Sequence, residues 1–386
     1  MTDIFKNNGT AFYVFDIEKL KKRVSYLQSL LPSDVSICYA VKANTFIIKE
    51  LIGEVERFEV CSPGEAEICD VLGVPNEATV ISGVYKTPSF IEHSVQNNDG
   101  RIYTVESLTQ LELLRSLSEK YQKILPVLLR LTNGSQFGIN ASEIEEIVSK
   151  RSEYKFLDIH GLQFFSGTQK TSLKKLKREV EKLDSLLGTL KSEFGFSARE
   201  LEYGPGFPVA YFEGEDVGEE ELIKGFSSLL SSMQNKVKIS LELGRSVAAS
   251  CGSYYTHIVD MKRNKGENYL LIDGGMHHLV YFGQHMAMMM PHLSVVGKEN
   301  EAKEESFNIC GSLCSMNDIV AKGAALPKVE IGDLLRFENT GAYCMTEGIS
   351  LFLSRELPAV YLKKDNGEYL LVRESFECSK HNTPNY

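Results

Sequence analysis

Eight short apolar, β-branched runs recur through the first two-thirds of the chain, each followed by an amphipathic stretch, and nothing else in the sequence narrows the fold so far. The runs are VSICYAV (35–41), RFEVC (57–61), TVISG (79–83), RIYTV (101–105), LPVLLRL (125–131), LDIHGLQFF (157–165), ELEYG (200–204) and KISLELG (238–244). Between them, stretches such as PGEAEICDVLG (63–73) and SLTQLELLRSLSEKY (107–121) set apolar residues at helical spacing. Eight strands alternating with helices over about 210 residues are what a (β/α)₈ barrel of the TIM type requires. A doubly wound sheet shares much of this pattern, but the periodicity favours the barrel.

After Arg245 the texture changes. YYTHIVDMK (254–262), NYLLIDG (268–274), LLRFENT (334–340) and AVYLKK (359–364) follow one another without long helices, which predicts a C-terminal β-sandwich or small β-barrel. A barrel over 20–247 and a β domain from 1–19 plus 248–386 are expected.

With 43% hydrophobic and 24% charged residues the chain has a globular composition, and no run approaches the roughly 18 apolar residues of a membrane span. MTDIFKNNGT, at the N-terminus, has no apolar core behind a basic start, so a cytoplasmic protein is expected. Eight cysteines, Cys38 among them, form neither CxxC pairs nor a small secreted framework; reduced thiols and no metal are the expectation. A net charge of −10 argues against nucleic acid as partner.

Barrels of this kind build their sites at the C-terminal ends of the strands and often hold phosphate in the loops after the seventh and eighth. The unusual residues fall at those ends: Lys42 and Asn44 after the first run, Glu59 and Ser62 at the second, Arg130 in the fifth, Ser166-Gly167-Thr168 after the sixth, Gly204-Pro205-Gly206 after the seventh, and Glu242 with Arg245 at the eighth. A lone lysine after a strand is ordinarily a surface residue, and glycines ordinarily make turns. Their coincidence carries the weight, because a lysine at a strand end can form a Schiff base, while glycine turns and an arginine offer N–H groups and a cation to a phosphate.

Around Lys42 the sequence reads YAVKANT (39–45), and with it come FYVFD (12–16), FEVCSPGE (58–65), SQFGI (135–139), GLQFFSGTQ (161–169), YGPGF (203–207), ELGR (242–245), IDGGM (272–276), CGSLCSMND (310–318) and NTGAYC (339–344). In this order the motifs resemble the fold-type III pyridoxal-phosphate decarboxylases, the group of ornithine, arginine and diaminopimelate decarboxylases, over nearly the whole chain. The resemblance implies an alanine racemase-like fold, pyridoxal 5'-phosphate as cofactor, removal of an amino acid's α-carboxylate, and a homodimer with shared active sites. It implies that Lys42 carries the cofactor, that Glu242 pairs with the pyridine nitrogen, and that Thr168, Gly204, Gly206, Arg245 and Tyr343 bind the phosphate. Arg130 and Ser62 match residues around the ring, and Glu59 stands where an aspartate is usual. Cys314 matches a thiol contributed by the second subunit to help protonate the carbon that has lost CO₂.

Three departures bear on the substrate. Phe165 stands where a histidine normally stacks on the ring, which keeps the stack and loses the imidazole. Pro205 interrupts the usual glycine triplet and removes one N–H. Ser315 follows Cys314 where ornithine and diaminopimelate decarboxylases place an acidic residue facing the far end of the substrate. A buried free ammonium would lack its partner there, so a blocked far end is expected, conjugated or tethered to an acyl carrier protein, with a diaminopimelate or ornithine/lysine decarboxylase as the alternative. Lys170, Lys174, Arg178 and Lys182, spaced i, i+4, suggest a docking stripe for such an acidic carrier, although a solvated helix face explains them more simply. An amino-acid racemase of the alanine racemase type is the enzymatic rival, and Glu242 opposes it, because that family sets an arginine at the ring nitrogen. An inactive homologue acting as a binding protein would have had no need to keep Lys42, Glu242, Arg245, Cys314 and Tyr343. The single-domain pyridoxal-phosphate carriers are too short.

Overall fold

The computed structural model describes residues 11–97 and 99–385. The decapeptide on which the expectation about a leader rests lies outside the described residues, as does the start of the 1–19 assignment. Two compact units are present: one comprises the described part of Met1–Lys22 with Ala210–Asp216 and Ala248–Tyr386, the other Arg23–Val209 with Val217–Val247.

The described chain opens with strand β1 (Phe12–Asp16). Eight parallel strands follow, β2 (Val35–Ala40), β3 (Arg57–Val60), β4 (Thr79–Ile81), β5 (Ile102–Val105), β6 (Leu125–Leu131), β7 (Leu157–Phe165), β8 (Glu200–Gly204) and β9 (Lys238–Leu243), and they close into a barrel in chain order. All eight lie on the eight apolar runs. Closure comes from β2 pairing with β9, where Cys38 stands opposite Glu242.

The intervening helices are specified locally. The helix Pro63–Leu72 starts with Ser62 as its N-cap, its side chain accepting from Glu65 N, and with a proline in its first turn, and it stops at Gly73 in the left-handed conformation. The helix Leu173–Phe194 buries Leu176, Val180, Leu183, Leu187 and Leu190, an apolar stripe at i, i+4 and i, i+7. Inside the barrel Cys38, Val80, Ile102 and Leu128, from β2, β4, β5 and β6, pack as one cluster. These side chains fill part of the barrel's interior.

The other unit is mostly strand. Strand β10 (Gly252–Asn264) is long enough to serve two sets of neighbours: it pairs with β1 and β15 (Leu334–Glu338) through its first half and with β11 (Glu267–Ile272) through its second. The sheet continues through β13 (Glu305–Cys310) and β14 (Ile319–Leu326) on one side and β16 (Ala359–Lys363) and β17 (Tyr369–Arg373) on the other, while β12 (Leu293–Val295) pairs with β15. Phe12, Val14, Tyr255, Leu334, Ala359 and Tyr361 form one of its core clusters, with the rings of Phe12 and Tyr255 stacked 4.9 Å apart. Strands β10, β11, β15 and β16 lie on the four runs named from sequence. Among the described residues no helix is long and apolar enough to cross a membrane.

Candidate active site

The buried strand β2 ends in a single 3₁₀ turn, Val41–Ala43, which presents Lys42. That turn is pinned by the next residue: Asn44 Oδ1 accepts from Phe46 N at 2.9 Å, and the Tyr39 hydroxyl donates to Asn44 O at 3.0 Å. Strand register then supplies two carboxylates. Ala40 pairs with Glu59 on β3, and Cys38 with Glu242 on β9. Lys42 Nζ donates to Glu59 Oε2 at 2.6 Å and to Glu242 Oε1 at 3.1 Å, and lies 3.6 Å from Cys61 Sγ. The lysine side chain keeps 37% of its exposure whereas Glu59 keeps 1%, so two carboxylates act on this amine rather than full enclosure.

Those carboxylates are driven apart electrostatically. Burial pushes Glu59 up, but the Lys42 ammonium and its hydrogen bond outweigh burial and leave it below the usual carboxylate range. Glu242 is pushed up to about 7 by burial first and then by the neighbouring Glu59 charge. A third carboxyl, Glu202 on β8, is wholly buried and raised to about 8 by burial and by Glu242 and Glu59. One ionised group beside two that hold protons near neutrality is an arrangement suited to moving protons.

Further polar residues line the same strand ends. Arg130 on β6 lies 3.1 Å from Glu106 Oε1 and over the Phe137 ring at 5.1 Å. Lys86, 6% exposed, donates to Gly83 O, Thr104 Oγ1 and Gln110 Oε1 at 3.0 to 3.2 Å, and burial lowers it to about 8. Gln163 Nε2 donates to Glu202 Oε1 at 2.7 Å and to Ser82 Oγ at 3.1 Å. Cys61, Lys86, Glu106, Gln163 and Glu202 were not singled out from sequence. A signal existed for the last two: each stands two residues before a chosen position on its strand, Phe165 and Gly204, and so shares its face.

The loops after β7 and β8 meet. Gly206 adopts a φ of +66°, and a Cβ there would run into the carbonyl of Gly167, so only glycine lets the turns approach. Lys170 N donates to Gly206 O at 2.9 Å, and the Gln169 side chain exchanges two bonds with Val209, Nε2 to O at 2.9 Å and N to Oε1 at 2.7 Å. Thr168 is half-buried in this loop, and the Phe165 ring packs over Gly204, occupying the space a side chain there would need. Arg245 is 6% exposed at the start of the turn that follows β9. Ser62 is exposed and spends its hydroxyl on the cap described above.

Cys314, Ser315 and Tyr343 belong to the β unit. Cys314 is exposed on the loop between β13 and β14, which also carries Met316 at 90% of its exposure. Asp318 holds that loop, accepting from Met276 N at 2.7 Å and Leu313 N at 2.8 Å. Ser315 Oγ accepts from Asn317 N at 3.2 Å. Tyr343 takes a φ of +64°, a left-handed conformation rare for an aromatic residue. One expectation is corrected: Lys170 does not belong to the cationic helix stripe. It precedes the helix Leu173–Phe194 and is buried against Glu179, Nζ to Oε2 2.7 Å, because the chain between β7 and the helix must first turn back over the Gly206 loop. Lys174, Arg178 and Lys182 do lie exposed on the helix.

A family described as pyridoxal-dependent decarboxylase, pyridoxal binding domain, matches residues 17–249. The chain is 26% identical to a diaminopimelate decarboxylase of Aquifex aeolicus over 97% of its length and 91% of the relative. It is equally, 26%, identical to an L-glutamyl-BtrI acyl-carrier-protein decarboxylase of Niallia circulans, covering 97% of this chain and 93% of that one. The crystal structure of diaminopimelate decarboxylase from Helicobacter pylori complexed with L-lysine shares the fold at a TM-score of 0.85, with 22% identity and coverage of 98% and 97%.

The residues present fit pyridoxal phosphate. Such a cofactor needs an amine, a carboxylate for its ring nitrogen and a backbone cradle with a cation for its phosphate. Lys42, Glu242, the glycine-only approach of Gly206 to Gly167, and Arg245 supply that donor set. This chain belongs to the pyridoxal-dependent decarboxylases, carboxy-lyases that use pyridoxal 5'-phosphate on an alanine racemase-like fold.

Proposed function

We propose that this decarboxylase removes the α-carboxylate of an amino acid whose far end is conjugated or carrier-bound, with the following division of labour among its residues. When bound, pyridoxal phosphate draws off the electron pair released as CO₂ departs. Lys42 holds the cofactor and exchanges it with the incoming amine, and Glu59 is the counter-ion that keeps a proton at Lys42 Nζ. Glu242 holds a proton at the ring nitrogen. Arg130 and Ser62 flank the ring and Phe165 stacks on it. Gly204, Gly206, Thr168, Arg245 and Tyr343 bind the phosphate. Cys314 delivers from Sγ the proton that replaces CO₂. The observation that carries this assignment is the single amine of Lys42 resting on two carboxylates of opposite protonation tendency, Glu59 and Glu242.

The exposed loop bearing Cys314 and Met316 supports a homodimer in which each protomer's loop completes its partner's site. The barrel unit then carries the cofactor and the β unit the trans-acting thiol. Eight cysteines without a disulfide support a reducing, cytoplasmic setting.

Ser315 supports the blocked far end, because a neutral hydroxyl next to Cys314 gives a distal ammonium no anion, and burying such a charge unpaired costs several kcal/mol. Equal identity to a diaminopimelate enzyme and a carrier-dependent one leaves this choice to the site residues. The test is a comparison of kcat/KM for ornithine, lysine and diaminopimelate with kcat/KM for citryl-conjugated and carrier-bound amino acids. At least a hundredfold preference for the blocked substrates is expected; efficient turnover of a free diamino acid would end the proposal. With Lys170 withdrawn, Lys174, Arg178 and Lys182 stand among other exposed charges of the helix Leu173–Phe194 as a solvated face, and Glu181 lies 3.8 Å from Lys177 on the same helix.

A further inference from the structure

Behind the two glycine loops lies a buried network that the assigned roles leave unused. The helix Leu173–Phe194 turns Glu179, beside the core residue Val180, toward the barrel, leaving 17% of its side chain exposed. Its carboxylate accepts from three partners: the Ser166 hydroxyl, Lys170 Nζ at 2.7 Å, and the Tyr203 hydroxyl. Lys170 Nζ also donates to Ser166 Oγ at 2.7 Å and lies over the Tyr203 ring at 5.8 Å. Ser166 and Lys170 bracket Gly167-Thr168, and Tyr203 immediately precedes Gly204. One carboxylate thus grips both loops, and the bond from Lys170 N to Gly206 O joins them directly.

A buried lysine and glutamate are costly to desolvate, and a solvent-facing pair would serve stability as well. What this pair supplies is position. Pro205 has no N–H to give, so the donors that remain in the turn must be held in place by something outside it. The chain provides this with a charge-assisted cluster, whose bonds are shorter and stiffer than neutral ones.

We propose that Glu179 is a positioning residue for the cofactor's phosphate: acting through Ser166, Lys170 and Tyr203, it fixes the facing turns Gly167-Thr168 and Gly204–Gly206 at the spacing a phosphate requires. This rests on the pyridoxal-phosphate reading of the site.

The experiment compares dissociation constants of pyridoxal phosphate and of pyridoxal, which lacks the phosphate, for the wild-type apoenzyme, Glu179→Gln, Tyr203→Phe and the charge-free double variant Lys170→Met/Glu179→Leu, with melting of each apoprotein as the folding control. Glu179→Gln is expected to weaken pyridoxal phosphate at least tenfold while pyridoxal binding stays within twofold. Tyr203→Phe, which removes one hydroxyl from a folded core, is expected to follow in the same sense by about threefold. The double variant is expected to restore melting without restoring phosphate selectivity. Equal loss for both ligands, or no loss for either, would show that the network serves folding alone and would overturn the proposal; if Glu179→Gln does not fold, Tyr203→Phe decides by the same criterion. A wild type that binds the two ligands equally, or neither, would instead refute the cofactor reading itself.

Discussion

Glu59 reaches Lys42 through strand register: Ala40 and Glu59 are paired across β2 and β3, and the carboxylate Oε2 lies 2.6 Å from the lysine Nζ at the strand ends. Lys86, buried where Lys42 is partly exposed, is enclosed by three oxygen acceptors and makes no carboxylate hydrogen bond among the described residues. Borohydride reduction of the holoenzyme followed by peptide mapping is therefore expected to find the pyridoxyl group on Lys42. Lys42→Ala is expected to reduce turnover below detection, since neither cofactor attachment nor product release then has its amine. A label on Lys86 would transfer the role.

Glu202 makes the apoprotein's stability depend on pH. Its folded value of about 8 lies above the ordinary 4.5, chiefly because of burial. A group raised on folding adds stability that is fully present below its unfolded value and is lost as pH rises through its folded value, here across roughly pH 4.5 to 8. Its share of the slope is about 1.4 kcal/mol per pH unit within that window. Glu202→Gln, which keeps the size of the side chain, is expected to flatten the melting profile of the apoprotein between pH 5 and 8 and to melt higher than wild type at pH 8. Parallel profiles would mean that Glu202 is ionised in the fold.

Gly206→Ala places a Cβ against the Gly167 carbonyl at a φ of +66°. Strain of this kind costs about 1–3 kcal/mol, and relief requires the two loops to part. The variant is expected to retain its far-ultraviolet circular dichroism, lose a few degrees of melting temperature and bind pyridoxal phosphate more than tenfold more weakly. Unchanged binding would separate this turn from the phosphate site.

Mixing Lys42→Ala with Cys314→Ala chains, each inactive alone, is expected to restore activity through hybrid dimers that contain one intact site. Dimerisation by sedimentation and subunit exchange by mixed tags are the controls. Exchange without recovered activity would place Cys314 in the same protomer's site or outside the chemistry.

Strand position and residue type were legible along the chain because both are local. Apolar runs of five to nine residues alternating with helical stretches read as the buried strands of a layered fold, and Lys42, Glu59, Arg130, Glu242 and the Gly204 and Gly206 turns fall at or near the ends of such runs. The family motifs fixed the cofactor by the same locality. Tertiary structure decided what depends on closure. Only when β9 meets β2 does Glu242 come within 3.1 Å of Lys42, 200 residues away in sequence, and only the folded barrel sets the Lys42 ammonium to hold Glu59 down while burial holds Glu242 and Glu202 up. Lys170 shows the limit from the other side: its spacing matched a helix face, but the turn over Gly206 and the Glu179 carboxylate drew it into the protein. Spacing encodes a side chain's direction only inside a regular element, and whether a residue lies inside one is settled by what the loops around it must satisfy.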